Sequence, residues 1–143
     1  MSVMPRISPI VLQILREALP DVTVATWGAD IDYRQFPLIN IRRVGGFRNK
    51  DMPTVLSLPV IEMTAYTAEG LPETEQLYED ALEALYEAVR LQRQFPSGYL
   101  HSMRETMGMT QFSSLFMDSW RVQGLIQLGL RPLTNQENIH VAK

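Results

Sequence analysis

Between Thr67 and Pro72 the hydrophobic period of the chain changes from two to that of a helix, so the fold has to combine strands with helices. Before the change, two segments alternate. Pro37–Val44 sets Ile39 and Ile41 against Asn40 and Arg42, and Leu58–Thr67 sets Ile61, Met63 and Ala65 against Glu62, Thr64 and Tyr66. Pairing of these two strands brings Arg42 near Glu62 on the polar face. After the change, Leu77, Tyr78, Ala81, Leu82, Leu85, Ala88 and Val89 share one side of a helix from Pro72 to about Arg93. Glu73 and Glu75 at its start and Arg90 and Arg93 at its end suit the helix macrodipole.

The remaining segments extend both patterns. Ile7–Leu19 carries an apolar stripe of Ile7, Ile10, Val11, Ile14, Leu15 and Ala18, with Ser8-Pro9 expected as cap and first turn. Pro20-Asp21 stops that helix, and Val22–Trp27 has the β-branched content of a strand, followed by a turn-prone stretch from Gly28 to Gln35. Gly45-Gly46 is expected to end the Pro37–Val44 strand, in a turn that needs positive φ. Phe47–Ser57 then reads as a long hairpin tip or flap. Pro96-Ser97-Gly98 breaks the chain before a strand from Tyr99 to Met107. Gly108–Asp118 has no clear period, and Ser119–Leu130 alternates Trp120, Val122, Gly124, Ile126 and Leu128 against Arg121, Gln123 and Gln127.

The order α-β-β-β-α-β-β predicts an α+β, two-layer α/β fold, with two helices packed on one face of a largely antiparallel mixed sheet. One domain occupies residues 1–132, with a hairpin flap at 45–57, and residues 133–143 form a C-terminal arm or mobile tail. A broad polar sheet face is left uncovered, a natural surface for copies of the chain or other partners.

With 143 residues and no cysteine, the chain is long enough to bury a core without a disulfide, and thiolate metal sites are excluded. No apolar run reaches the roughly 20 residues of a membrane helix, and a net charge of -3 argues against general nucleic-acid binding. A soluble protein made in cytoplasm is expected. Catalysis has little to draw on. His101 is followed by Glu105 at a spacing that separates them along a strand, and His140 stands apart. Ser113 or Ser114 with His101 and Asp118 lacks a nucleophile elbow, and Gly45-Gly46 lacks the pattern of a phosphate loop. No metal, cofactor or catalytic residue is assigned.

Two charge clusters carry more information. Arg42, Arg43, Arg48 and Lys50 surround the hairpin turn, either as a solvated loop or as a dock for a negatively charged neighbour. Glu69, Glu73, Glu75, Glu79, Asp80, Glu83 and Glu87 lie on the outer face of the second helix, serving either solubility or complementarity with the basic hairpin of an adjacent subunit. Met103, Met107, Met109 and Met117 fill irregular core gaps, or form an adaptable contact surface.

Pro37-Leu38-Ile39-Asn40-Ile41-Arg42-Arg43-Val44-Gly45-Gly46, then Asp51-Met52-Pro53, the strand ending near Tyr66, the Glu75–Ala88 helix and the closing Trp120-Arg121-Val122-Gln123 strand resemble tail terminator proteins of long-tailed phages. This siphovirus group includes the gpU-like terminators and minor tail proteins of actinobacterial phages, and the resemblance runs from Ile7 to about Pro132. It implies a structural, non-enzymatic virion protein that forms a hexameric ring on the head-proximal end of the tail tube. Such a ring, assembled in the host cytoplasm, stops tube polymerisation and offers a docking surface to the neck. The implied partners are further copies of the chain, the major tail tube protein and head-completion or neck proteins. DNA passes through the lumen without sequence-specific binding, and neither a cofactor nor a membrane is involved. The residues expected at subunit or partner interfaces are Arg42, Arg43, Phe47, Arg48, Lys50, Glu62, Glu79, Glu83, Arg121 and Gln123. A head-completion or other neck connector protein is the nearest alternative. A small enzyme or ligand-binding domain near His101 and the methionines is the remote one.

Overall fold

The structure, a computed structural model, describes residues 4–26, 35–114 and 118–133. Its elements are α1 (Ile7–Ala18), β1 (Thr23–Thr26), β2 (Leu38–Arg48), β3 (Ser57–Thr67), α2 (Leu71–Arg90), β4 (Gln94–Phe95), β5 (Gly98–Phe112) and β6 (Trp120–Pro132). The six strands form one sheet in the order β1-β2-β3-β6-β5-β4. Only β1 and β2 run parallel, and the other pairs are antiparallel. The expected α+β architecture with a largely antiparallel mixed sheet is therefore present. The Gly28–Arg34 part of the turn-prone stretch, Trp27, Met117, His140 and nearly all of the 133–143 arm lie outside the described residues.

Both helices bury their apolar stripes on one sheet face. Ile10, Val11, Ile14 and Leu15 of α1 and Leu77, Tyr78, Ala81 and Leu85 of α2 meet Ile39, Ile41, Ile61, Met63, Ala65, Val122, Ile126 and Leu128. Each buried aliphatic side chain contributes about 1.5–3 kcal/mol through removal from water. Met103 and Met109 pack against the edge of this core as gap fillers. Tyr78 reaches across from α2 onto Gly124 of β6. A Cβ at Gly124 would overlap the Tyr78 hydroxyl and lie 2.9 Å from the Met107 carbonyl, so only glycine permits this approach. Burial drives the Tyr78 phenol well above its ordinary pKa, which keeps it neutral.

Several boundaries differ from the sequence expectation. Helix α1 starts at Ile7 with Arg6 as its N-cap, so Ser8 and Pro9 lie inside the first turn. Proline is accommodated there because that N–H has no intrahelical acceptor. Helix α2 ends at Arg90. Arg93, beyond it, is clipped to Glu17 of α1 and lies over the Phe95 ring at 4.8 Å. The two-residue strand β4 is too short to carry a period. The stretch after Met107 continues β5 to Phe112, and its alternation is lost because the register against β6 shifts three times between Leu100 and Thr110.

Gly45-Gly46 does not end β2. The register passes from Arg43 opposite Ile61 to Gly45 opposite Val60, which leaves Val44 as a bulge, and pairing continues to Arg48 opposite Ser57. Gly45 and Gly46 do take positive φ, +136° and +98°. A Cβ on Gly46 would collide with the Leu58 carbonyl and lie 2.6 Å from Pro59 Cα and 2.8 Å from Val60 N. The glycines thus let a bulged strand keep its partner. The unpaired loop is confined to residues 49–56.

The polar sheet face also departs from expectation. Asn40, Glu62, Thr64 and Gln123 are buried, although they point away from the helices. Glu62, Thr64 and Gln123 bond to one another across the strands, whereas Asn40 Oδ1 has no hydrogen-bond partner among the described residues.

Candidate assembly surface

Three surfaces gather the charged residues singled out from the sequence. The first is the polar network of β2, β3 and β6. Arg42 lies opposite Glu62 in the register and donates from Nε to Glu62 Oε1 at 3.0 Å. Gln123 donates to Glu62 Oε2 at 3.2 Å, and its own Oε1 accepts from Thr64 Oγ1 at 3.3 Å and from Arg121 Nη2 at 2.8 Å. Arg121 also donates to the Ser113 carbonyl at 3.2 Å and lies over the Phe112 ring at 5.3 Å. Glu62 is 9% exposed, so these charge-assisted bonds are partly desolvated and hold three strands in register. Arg42, Glu62, Arg121 and Gln123 are thus joined within one chain, as a brace behind the sheet.

The second surface is the far end of the β2–β3 hairpin. Asn49 Oδ1 accepts from the backbone N–H groups of Asp51 and Met52, both at 2.9 Å, and Asn49 N donates to the Leu56 carbonyl at 2.9 Å, which closes the loop. Arg43 donates to the carbonyls of Gly45 and Gly46 at 3.0 and 3.4 Å, and Arg48 to that of Pro53 at 3.3 Å. Both guanidinium groups are held by neutral acceptors. Among the described residues, Arg43, Arg48 and Lys50 have no carboxylate partner. Phe47, 83% exposed, pairs opposite Leu58 and so lies on the other face of the hairpin from Arg48, which pairs opposite Ser57; Val44 and Met52 are also exposed. Phe47, Val44 and Met52 thus put apolar surface at the same end of the hairpin as cations without a carboxylate partner among the described residues.

The third surface is the outer face of α2, where Glu73, Glu75, Glu79, Asp80, Glu83 and Glu87 are all exposed. Glu87 pairs with Arg90 at 2.6 Å. Tyr86 is partly exposed among these carboxylates and donates its hydroxyl to Glu105 of β5 at 2.8 Å. That hydrogen bond first, then partial burial and the charges of Glu105, Glu79 and Glu83, raise the Tyr86 pKa. Glu105 thus bonds the Tyr86 hydroxyl, and Glu79 and Glu83 lie near enough for their charges to act on it.

The phage tail termination protein family matches residues 3–137. The chain belongs to that family. It is also 59% identical over 133 residues to the Gene 22 protein of Mycobacterium phage D29, a match that covers 92% of this chain and 96% of the relative. The Gene 22 protein of Mycobacterium phage L5 matches at the same identity and coverage. The resemblance to terminators of actinobacterial phages is accordingly borne out, and the chain is a structural component of the phage tail.

In this tail termination protein the ten expected interface residues divide between the three surfaces. Arg43, Phe47, Arg48 and Lys50 stand on the hairpin and Glu79 and Glu83 on α2, while the other four form the brace. Tyr86 and Glu105 were not legible from the sequence as part of a surface. Tyr86 follows Glu83 by one helical turn, a signal available in the spacing, but only the fold brings Glu105 to it. The residues weighed for chemistry do not converge. His101 and Glu105 are exposed on β5, Glu105 is engaged by Tyr86, and Ser113 and Ser114 lie beyond the opposite end of that strand from His101. Among the described residues no group of three His, Asp or Glu side chains is arranged to hold a metal ion, and no helix is long and apolar enough to cross a membrane.

Proposed function

We propose that this protein closes the head-proximal end of the tail tube as a ring of identical subunits, six in number. One ring face binds the last layer of the major tail tube protein, and the other presents a different surface to head-completion or neck proteins. Polymerisation stops because the next tube subunit finds no template. Termination of this kind is steric and needs neither a cofactor nor a catalytic residue. The observation that carries the reading is the family match along residues 3–137, and the bare aromatic on an ordered basic hairpin supports it as a device for contact between proteins. A net charge of -3 suits a lumen that lets DNA pass without gripping its phosphates.

Electron microscopy of particles made when this gene is silenced tests the proposal. Overlong, irregular tubes beside unattached, DNA-filled heads are expected. Tails of normal length with a joining defect would instead assign the protein to head completion, and normal infectious particles would overturn the structural role.

A further inference from the structure

We infer that the β2–β3 hairpin of one subunit seats on the α2 face of the next, with Arg48 and Lys50 among Glu79, Glu83 and Glu105 beside Tyr86. The inference rests on the ring reading above and supplies the contact that builds the ring. Its first support is charge. Arg43 and Arg48 are fixed by backbone carbonyls and Lys50 is exposed in the adjoining loop, so the hairpin presents cations that are not neutralised among the described residues. Across α2 the imbalance is reversed: Glu79 and Glu83 have no cationic partner among the described residues, and Glu105 is bonded to a neutral phenol.

The second support is the aromatic on α2: Tyr86 is exposed beside Glu105, and an aromatic face accepts a guanidinium such as that of Arg48. Connectivity is the third. Within one chain α2 packs on α1, β3, β5 and β6, and the hairpin's cations make no ion pair with it. The complementary patches are therefore both left available to a neighbouring copy. Because the two patches differ, the contact is head to tail, and each subunit keeps one free hairpin and one free α2 face until a ring closes. Attraction between such patches steers association and weakens with salt.

The absence of cysteine makes the seat directly testable. A chain carrying both Lys50→Cys and Glu83→Cys is supplied to phage lacking the gene, and tails are purified and mildly oxidised. A ladder of disulfide-linked multimers is expected from the double variant, and only monomer from either single variant. Monomer from the double variant on tails of normal length would overturn the seat while leaving the ring reading intact. Normal tails in the complete absence of the protein would instead overturn that reading. A charge exchange gives a second measurement. Arg48→Glu with Lys50→Glu should abolish termination, and adding Glu79→Lys with Glu83→Lys should restore it. Failure of the restoring pair would overturn the inference. So would hairpin variants that terminate normally but release heads from tails, since they would turn the hairpin towards the neck. All four positions are exposed, so these substitutions leave the core untouched.

Discussion

The two halves of the β2–β3 ladder are hydrogen-bonded to the same pair of strands on either side of the Val44 bulge and have opposite surroundings. In the near half, Leu38–Ile41 lie opposite Met63–Tyr66, flanked by β1 and β6, and every one of these residues is buried. In the far half, beyond the Val44 bulge, Gly45–Arg48 lie opposite Ser57–Val60, and β1 no longer flanks β2. There the β2 side chains are mostly exposed, Phe47 most of all. Backbone pairing alone therefore does not distinguish core from surface in this protein. Cover does, and β2 runs well past the cover that α1 and β1 provide. This uncovered half of the strand, with an aromatic near its end, is the feature on which the proposed contact with a neighbouring subunit rests.

The largest effect that would test this contrast is on stability. Ile39→Ala, in the near half, should lower the unfolding free energy by about 3 kcal/mol, whereas Phe47→Ala should change it by no more than about 0.5 kcal/mol. Urea denaturation of the two variants measures both. A large loss at Phe47 would mean that the hairpin belongs to the core of its own chain.

A smaller and more local effect is expected at the hinge between the halves. Gly46→Ala places a Cβ against the β3 backbone at φ +98°, at a cost of about 1–3 kcal/mol. Hydrogen exchange should show protection lost at Phe47 and Arg48 but retained at Ile39 and Ile41. Equal loss in both halves would show that the ladder unfolds as one unit.

The smallest effect separates a neutralised charge from a bare one. Hydrogen bonding from Arg93, then from Gln13, holds the Glu17 carboxyl below the ordinary glutamate value. A depressed folded pKa contributes stability that is complete above the unfolded value and is lost as pH falls through the folded one. Glu17→Gln should thus lower the melting temperature slightly near neutrality, with the difference from the parent vanishing in acid. Arg48→Gln, which removes a cation with no carboxylate partner among the described residues, should leave the acid limb unchanged. Thermal melts across a pH series distinguish the two.

Much of the fold was legible because burial on one side of an element leaves a period. The Ile39/Ile41 and Ile61/Met63/Ala65 alternations located β2 and β3, the α2 stripe located the longest helix, and cross-strand pairing placed Arg42 opposite Glu62. Features without a period were not legible. The three register shifts in β5 scramble its alternation, so its continuation to Phe112 could not be read. Gly45-Gly46 signals positive φ equally well in a turn and in a bulge, and only the β3 backbone lying against Gly46 decides for the bulge.

The candidate surface divides the same way. Sequence alone determined that a basic cluster surrounds the hairpin and that an acidic series lines α2, because charge and helical spacing are local properties. Only the tertiary structure decided that Arg42 and Gln123 bond to Glu62, and Arg121 to Gln123, inside one chain, that Phe47 stands uncovered on the opposite hairpin face from Arg48, and that Glu105 comes from another element to bond Tyr86 of α2. Which charges are satisfied depends on what lies within a few ångströms in space, and residues distant along the chain supply that.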